Sequence, residues 1–282
     1  VMSLYELIYK LSDISGLDIP DLVKCLTTAS MSKKLFKNGY KGRQFQTEGE
    51  PYTDYEYLTY CKAWDSEKLL RESDTDISYK EVESKMRLAY MGGRCEVFKP
   101  LLDGGIGYHM DVNSEYPYVM CEYEYPIGYP AYYTKRSNIK RVFDKYMHFG
   151  SGLGFMYAVV HIPEQHIPPL PVKKNKLFFP CGTVEGWFTY AELKYSIEHC
   201  GVEILEYKEV IHFQRTFPIF KNFVQFFYRM KEEGKRTANK PLTQLAKLIL
   251  NTAYGWTALR RDKPALDSVD NFDKRKEQLL SI

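Results

Sequence analysis

The sequence lacks long apolar runs, paired cysteines and clustered histidines. No stretch approaches the roughly 18 to 20 apolar residues that a membrane-spanning helix needs, and the N-terminus has no signal-peptide pattern, so we expect no membrane partner. The six cysteines form no CxxC pair, which argues against a zinc site and a disulfide framework. The six histidines show no ligand spacing either. We therefore expect a reducing, intracellular setting.

An excess of charge of one sign is missing as well. The 39 basic and 36 acidic residues leave a net charge of +3, so a nucleic-acid site would have to be local. Aromatic residues are abundant instead, with 24 Tyr and 16 Phe, and such rings either fill a core or stack on bases. The length of 282 residues, 44% of them hydrophobic, suits about two domains, or one domain with a large insertion, with a real core.

The segment DVNSEYPYVM, residues 111–120, places an acid at the end of an alternating run. Ile106, Tyr108 and Met110 would share one face of a half-buried strand, with Asp111 on the other face near its C-terminal end. Pro117 is suited to the first turn of a helix. Asp111 is therefore either a capping or turn acid, or an exposed carboxylate placed for chemistry.

Two amphipathic helices are predicted in the last quarter of the sequence. Aromatic residues recur at three or four positions in residues 219–233, and we expect Gly234 to end this helix. Pro241 is predicted to begin the second helix. Upstream, a helix is predicted within TYAELKYSIEHCG, with Gly201 as its end.

The second helix carries a polar stripe. At about 100° per residue, Lys247, Asn251 and Tyr254 fall on one side. The residues expected on the core side are Leu245, Leu248, Ile249 and Thr252. A solvated face is one interpretation of the stripe. The other is a platform for a triphosphate and a stacked base, because the positive charge of Lys247 lies within one to two helical turns of the flat Tyr254 ring.

Two further segments have suggestive compositions. The basic stretch KKLFKNGYKGR, residues 33–43, is interpreted as a solvated loop rather than a phosphate-binding track. The acids of Asp74-Thr75-Asp76 lack flanking apolar strands and are interpreted as a charged turn.

Three segments resemble, in order, the motifs of one family. DVNSEYP resembles the D-x-x-S-x-Y-P motif and KLILNTAYG the K-x-x-x-N-S-x-Y-G motif of family B DNA polymerases. YMGG, residues 90–93, resembles the Y-x-G-G signature of the protein-primed subgroup, which serves phages and linear plasmids, including mitochondrial ones. The resemblance covers about residues 1–262. It implies an α/β (α+β) fold with a partial palm sheet, a helical fingers hairpin and an α/β insertion.

The resemblance also implies roles for single residues. Asp111 and the Val112 carbonyl would bind Mg²⁺ in a two-metal site, and Tyr116 would lie under the incoming sugar. Lys247 would neutralise phosphate charge in the transition state. The other implied nucleotide-binding residues are Val112, Asn251, Tyr254, Gly255 and one of the pair Lys231 and Lys235. The implied DNA-binding residues are Tyr90, Gly92 and Gly93.

Family B catalysis also needs a second metal-binding acid, from a Y-x-D-T-D motif that should follow the second helix. The sequence up to Ile282 contains none at that place, so the resemblance implies an incomplete catalytic unit and a second chain as one source of the acid. Asp54-Tyr55-Glu56 has the form of an exonuclease acid pair, but that domain would lie upstream of this point. No proofreading is expected.

The motif order predicts six segments. They are 1–45, the tail of an exonuclease-like domain; 46–85, a linker and the start of the palm; 86–125, palm with the first acid; 126–218, an insertion resembling the terminal-protein region; 219–258, the fingers helices; and 259–282, the start of a following segment. The predicted function is template-directed DNA synthesis, with primer-template DNA, dNTP and a terminal protein as partners, in a host cytoplasm or a mitochondrion. The alternatives are a non-catalytic DNA- or terminal-protein-binding module and an unrelated nucleotide-binding protein.

Overall fold

The computed structural model describes residues 28–41, 69–99, 101 and 104–257, together with Tyr9 and Ser12, which are helical. The helices are α1 (Thr28–Lys41), α2 (Tyr79–Leu88), α3 (Glu115–Glu122), α4 (Arg136–Phe149), α5 (Tyr190–Cys200), α6 (Lys221–Arg236) and α7 (Lys240–Thr257). The strands are β1 (Tyr125–Ile127), β2 (Ala131–Tyr133), β3 (Leu153–Ile162), β4 (Val172–Lys173), β5 (Leu177–Phe178), β6 (Gly182–Thr189), β7 (Glu203–Phe213) and β8 (Arg215–Phe217). These helices and antiparallel strands confirm the α+β fold class.

A four-stranded antiparallel sheet, in the order β2–β7–β3–β6, organises the predicted insertion. Alternate side chains of β3, including Met156 and Val160, are fully buried on the face that α4 and α5 cover. On the other face, Trp187 and Phe213 pack against α2. The sheet is therefore covered on both sides, and two short ladders, β1–β8 and β4–β5, lie outside it.

Helix α5 begins and ends where its sequence predicts. The Thr189 hydroxyl accepts a hydrogen bond from the Glu192 backbone N–H, and the Glu192 carboxylate accepts one from the Thr189 backbone N–H at 2.8 Å. This reciprocal pair satisfies donors that a helix N-terminus leaves free. Gly201 then ends the helix with a φ of 66°, a conformation that favours glycine.

A second core joins α1, α3, α6 and α7. Phe223 and Phe227 of α6 and Ile249 of α7 are buried there together with Leu35 and Phe36 of α1. The loop interpretation of residues 33–43 is therefore wrong, since residues 28–41 form a helix. The many lysines of this stretch masked a short apolar face that is buried against the hairpin.

Gly234 does not end α6, which continues to Arg236. A Cβ at position 234 would lie 2.5 Å from the Thr243 hydroxyl oxygen and 2.8 Å from the Thr243 backbone nitrogen. The glycine thus permits α6 to approach the first turn of α7 closely. Pro241 lies in that first turn, as predicted.

The strand predicted for residues 106–112 is not formed. Ile106, Tyr108 and Met110 are 80%, 82% and 88% exposed, and no described strand pairs with their segment. The described residues between 86 and 124 form no strand of the implied palm sheet either. Alternation predicts which face a strand would bury, but a strand also needs a hydrogen-bonded neighbour.

The charged turn predicted at Asp74–Asp76 is confirmed, and its first acid stabilises a neighbouring helix. The Asp74 carboxylate accepts hydrogen bonds from the backbone N–H groups of Thr134 (2.7 Å) and Lys135 (3.0 Å), and from the Asn138 amide (3.1 Å). These groups lie at the N-terminus of α4. Burial raises the pKa of Asp74, but the hydrogen bonds together outweigh burial and leave the pKa below its ordinary value.

Several predicted features lie outside the described residues. They are the acids Asp54 and Glu56, residues 259–282, and those parts of the predicted segments 1–45 and 46–85 that fall outside the described ranges. Among the helices that are described, none is both long enough and apolar enough to cross a membrane.

Candidate functional site

Three tyrosines, one from each motif, meet near the C-terminal end of α7. The rings of Tyr116 and Tyr254 stack with centroids 4.3 Å apart and planes inclined by 17°. The Tyr254 hydroxyl also lies 3.0 Å from the Tyr90 hydroxyl, at hydrogen-bond distance. This hydrogen bond, and then burial, raise the pKa of the Tyr254 phenol. Segments separated by up to 164 positions in sequence are thus in direct contact.

A second contact joins the first motif to α6. The Lys231 ammonium donates a hydrogen bond of 3.0 Å to the hydroxyl of Ser114, the residue that precedes α3. The same ammonium lies 5.0 Å from the centroid of the Tyr228 ring, a distance typical of a cation–π contact. Lys231 is therefore held against the turn that carries the first motif.

Three lysines, Lys231, Lys235 and Lys247, lie close enough for their charges to interact. Burial lowers the pKa of Lys231, and the charges of Lys235 and Lys247 lower it further against the opposing effect of Glu232. Lys235, however, is paired with Glu232 at 2.9 Å, on the exposed side of its own helix. Of the two candidate lysines on α6, Lys231 contacts the turn of the first motif, whereas Lys235 pairs with Glu232 on its own helix.

The polar stripe of α7 is largely where the sequence predicts it. Lys247 and Asn251 are exposed, and Tyr254 is half-buried by its two tyrosine partners. The buried side comprises Leu245, Ala246, Ile249, Leu250 and Ala253. Leu248, expected in the core, is instead 45% exposed. The buried face of α7 does not include Leu248, because α1 and α6 pack on adjacent sides of α7.

Asp111 and Val112 lie in an exposed, irregular segment just before the turn at residues 113–114 that leads into α3, and Val112 is 61% exposed. Their carboxylate and carbonyl oxygens are hard donors of the kind that Mg²⁺ prefers. Within the described ranges, no three His, Cys, Asp or Glu side chains come together as a metal cluster. Asp111 therefore supplies suitable chemistry for a divalent cation, but only part of a ligand set.

The predicted glycines differ in their surroundings. A Cβ at Gly255 or Gly93 would meet no atom of the described residues within 4 Å, which leaves open space there beside the backbone. A Cβ at Gly92 would lie 4.0 Å from Leu177 of the β4–β5 hairpin. The Y-x-G-G segment thus runs between the tyrosine cluster and the insertion.

Sequence reasoning missed Arg94, which fixes this segment to the insertion. Its guanidinium lies 4.4 Å from the Phe179 ring centroid and donates a 2.9 Å hydrogen bond to the Pro168 carbonyl. It also pairs with Glu96 at 2.6 Å. No sequence signal identified it, because its partners in the insertion are distant along the chain.

A cleft of about 270 Å³, lined in part by Ser114, opens between α3 and α6 and was not predicted from the sequence either.

Comparison with known proteins gives this geometry a family. The family model described as DNA polymerase type B, organellar and viral, matches residues 1–281. The chain is 29% identical over 175 residues to a probable DNA polymerase of Ascobolus immersus, covering 60% of this chain and 13% of that protein. It is 28% identical over 193 residues to the DNA polymerase of Bacillus phage Nf, covering 64% of this chain and 32% of that protein. The chain therefore spans about a third or less of these relatives.

A solved structure shows the same fold. The phi29 DNA polymerase complexed with primer-template DNA matches with a TM-score of 0.58 and 21% identity, covering 93% of this chain and 42% of that one. Together these findings confirm the resemblance to protein-primed family B polymerases carried by the three motifs. The chain belongs to the type B DNA polymerases of organelles and viruses.

Proposed function

We propose that this chain forms the nucleotide-binding part of a protein-primed DNA polymerase, which transfers deoxynucleotides from dNTP to the hydroxyl of a primer or a priming protein. The observation that carries the proposal is the convergence of Tyr90, Tyr116 and Tyr254 beside the pair Ser114 and Lys231. A flat ring platform next to the ammonium groups of Lys231 and Lys247 suits a base and sugar joined to a triphosphate.

Two lysines would receive the phosphates. Lys247 is exposed on the stripe of α7, and Lys231 faces the turn before α3. Their charges would be stabilised by a triphosphate, and they would neutralise the negative charge that develops during transfer. Lys231 is preferred to Lys235 because the ion pair with Glu232 occupies Lys235. Backbone N–H groups in the first turn of α3, near Pro117, would complete the phosphate contacts.

The aromatic residues would hold the rest of the nucleotide. Tyr116, at the start of α3, would lie under the sugar and exclude a 2′-hydroxyl by its bulk. Tyr254 and Asn251 would border the nascent base pair, and the open space beside Gly255 would admit its close approach. Because the Tyr254 ring stacks on the Tyr116 ring, a base can lie against the stacked faces only if the two rings move apart.

Polymerases of this family use divalent metal ions, and Mg²⁺ is the ion we propose here. Asp111 and the Val112 carbonyl would hold it, since both offer oxygen ligands in an exposed segment before α3. When bound, the ions would activate the primer hydroxyl and stabilise charge on the triphosphate. A second acid is needed to complete the ligand set, and we propose that it comes from a Y-x-D-T-D motif in the remainder of the protein or in a second chain.

The proposed macromolecular partners are primer-template DNA and a terminal protein. The match to phi29 polymerase, solved with primer-template DNA, supports the first. Tyr90, Gly92 and Gly93 would contact that DNA, and the insertion at residues 126–218 would contact the terminal protein. The organellar and viral family supports action inside a cell, in a mitochondrion or in the cytoplasm of a phage host.

The competing hypothesis is a DNA- or terminal-protein-binding module without nucleotide chemistry. The purified chain can be bound to a primer-template whose primer ends in a dideoxynucleotide, so that no transfer occurs and only binding is measured. We expect the complementary dNTP with Mg²⁺ to stabilise the complex more than the three non-complementary dNTPs. Lys247→Ala should abolish this preference and leave DNA affinity nearly unchanged, with Lys240→Ala as the matched control on the same helix. Equal effects of all four dNTPs would support the binding module instead.

A further inference from the structure

Ser114 has an unusual backbone for its position. It precedes α3 with φ 56° and ψ 42°, in the left-handed region that few residues other than glycine adopt. Serine before a helix ordinarily has an extended backbone and accepts a hydrogen bond from the first turn. The Ser114 side chain makes no such capping bond. The position thus combines backbone strain with a lost cap, and strain of this kind concentrates at functional sites.

The hydroxyl is directed at Lys231 instead. The 3.0 Å hydrogen bond from the Lys231 ammonium joins two residues 117 positions apart, and both are half-buried. The charges of Lys235 and Lys247 disfavour this ammonium and that of Glu232 favours it. The Ser114 hydroxyl adds an uncharged acceptor at hydrogen-bond distance, beside the contact with the Tyr228 ring. A carboxylate at position 114 would also hold the ammonium, but would neutralise its charge and repel a phosphate.

We propose that Ser114 is a positioning residue, whose left-handed backbone aims its hydroxyl at Lys231 and holds that ammonium at the N-terminus of α3. The inference rests on the proposed nucleotide site and deepens it. Ser114 does not itself contact the nucleotide. It limits the conformations of a long, flexible side chain before the triphosphate arrives, which lowers the entropy cost of binding.

Four variants separate positioning from support of the backbone. Ser114→Gly relieves the left-handed strain but removes the acceptor, and Ser114→Ala removes the acceptor and keeps the strain. Ser114→Asn tolerates the left-handed region and offers an amide oxygen in place of the hydroxyl. Lys231→Ala removes the group being positioned and serves as the background for the double variants.

The assay measures the dissociation constants of complementary dNTP and dNMP, each with Mg²⁺, on the dideoxy-terminated primer-template. We expect Ser114→Gly and Ser114→Ala each to weaken dNTP binding by about fivefold to tenfold, and dNMP binding by much less. Ser114→Asn should retain most of the dNTP affinity, and the glycine and alanine changes should have no further effect in the Lys231→Ala background.

Normal dNTP affinity in Ser114→Gly, or an equal loss with and without Lys231, would overturn the inference. The wild-type chain tests the proposed function separately. If it shows no preference for the complementary dNTP, the nucleotide site itself fails, and the positioning role fails with it. If that preference is intact but Ser114 and Lys231 act independently, only the positioning role is overturned.

Discussion

The hydrogen bond between the hydroxyls of Tyr90 and Tyr254 gives a direct test of the site's assembly in solution. Tyr254→Phe removes one hydroxyl and keeps the ring, so the stack on Tyr116 is retained. A hydrogen bond is worth about 0.5 to 1.5 kcal/mol in general. Because Tyr90 is 55% exposed, water replaces much of what is lost, and we expect about 0.5 to 1 kcal/mol here.

The test is a double-mutant cycle. Tyr90→Phe and Tyr254→Phe should each lower the free energy of unfolding in urea by about 0.5 to 1 kcal/mol, and the double variant by no more than either alone. Tyr254→Leu should cost about 1 to 2.5 kcal/mol, because the aromatic stack is lost as well. Tyr195→Phe, an exposed tyrosine on α5, is the matched control. A coupling energy below about 0.3 kcal/mol would show that the hydroxyls do not meet in solution, and would refute the assembled site.

Three further predictions follow from single contacts. Lys231→Ala should weaken dNTP binding by about tenfold or more, because a charged hydrogen-bond partner is lost, whereas Lys235→Ala should weaken it by less than about threefold. Equilibrium dNTP binding on a blocked primer-template measures both losses. Equal losses would contradict the assignment of Lys231 as the phosphate-binding lysine. Because hydrogen bonds hold the pKa of Asp74 below its ordinary value, its carboxylate stabilises the fold at neutral pH, and this contribution is lost as pH falls through the folded-state pKa. Asp74→Asn should therefore lower the free energy of unfolding by about 1 kcal/mol at neutral pH and progressively less in acid, and an effect independent of pH would be inconsistent with this. Gly154→Ala should destabilise the sheet by about 1 to 3 kcal/mol in urea unfolding, since the new Cβ would lie 2.5 Å from the Ile211 carbonyl oxygen, and an unchanged midpoint would count against the close approach.

Local signals in the sequence predicted local structure well. The amphipathic period predicted the α6–α7 hairpin, Gly201 predicted the end of α5, and the α7 stripe predicted the exposure of Lys247 and Asn251. The failures all depend on what lies beside a segment. Gly234 permits a close helix contact rather than ending a helix, and residues 106–112 alternate without a neighbouring strand.

The candidate site shows the same difference between local features, which the sequence predicts, and contacts between distant segments, which it does not. Motif resemblance supplied the candidate residues, but their contacts could not be predicted from spacing. The hydrogen bond between Ser114 and Lys231 depends on a left-handed backbone, which cannot be predicted from a serine in the sequence. The attachment of the Y-x-G-G segment to the insertion through Arg94 depends on rings far away in sequence.

The most direct test of the account is to find where an incoming nucleotide lies on the chain. An azido-dNTP complementary to the template can be photo-crosslinked to the chain on a blocked primer-template with Mg²⁺, and the labelled peptides identified by mass spectrometry. The account predicts labelling within residues 111–118 and 247–255, with excess unlabelled complementary dNTP competing it away. Labelling confined to residues 153–213 would contradict it, as would labelling that non-complementary dNTPs compete equally well.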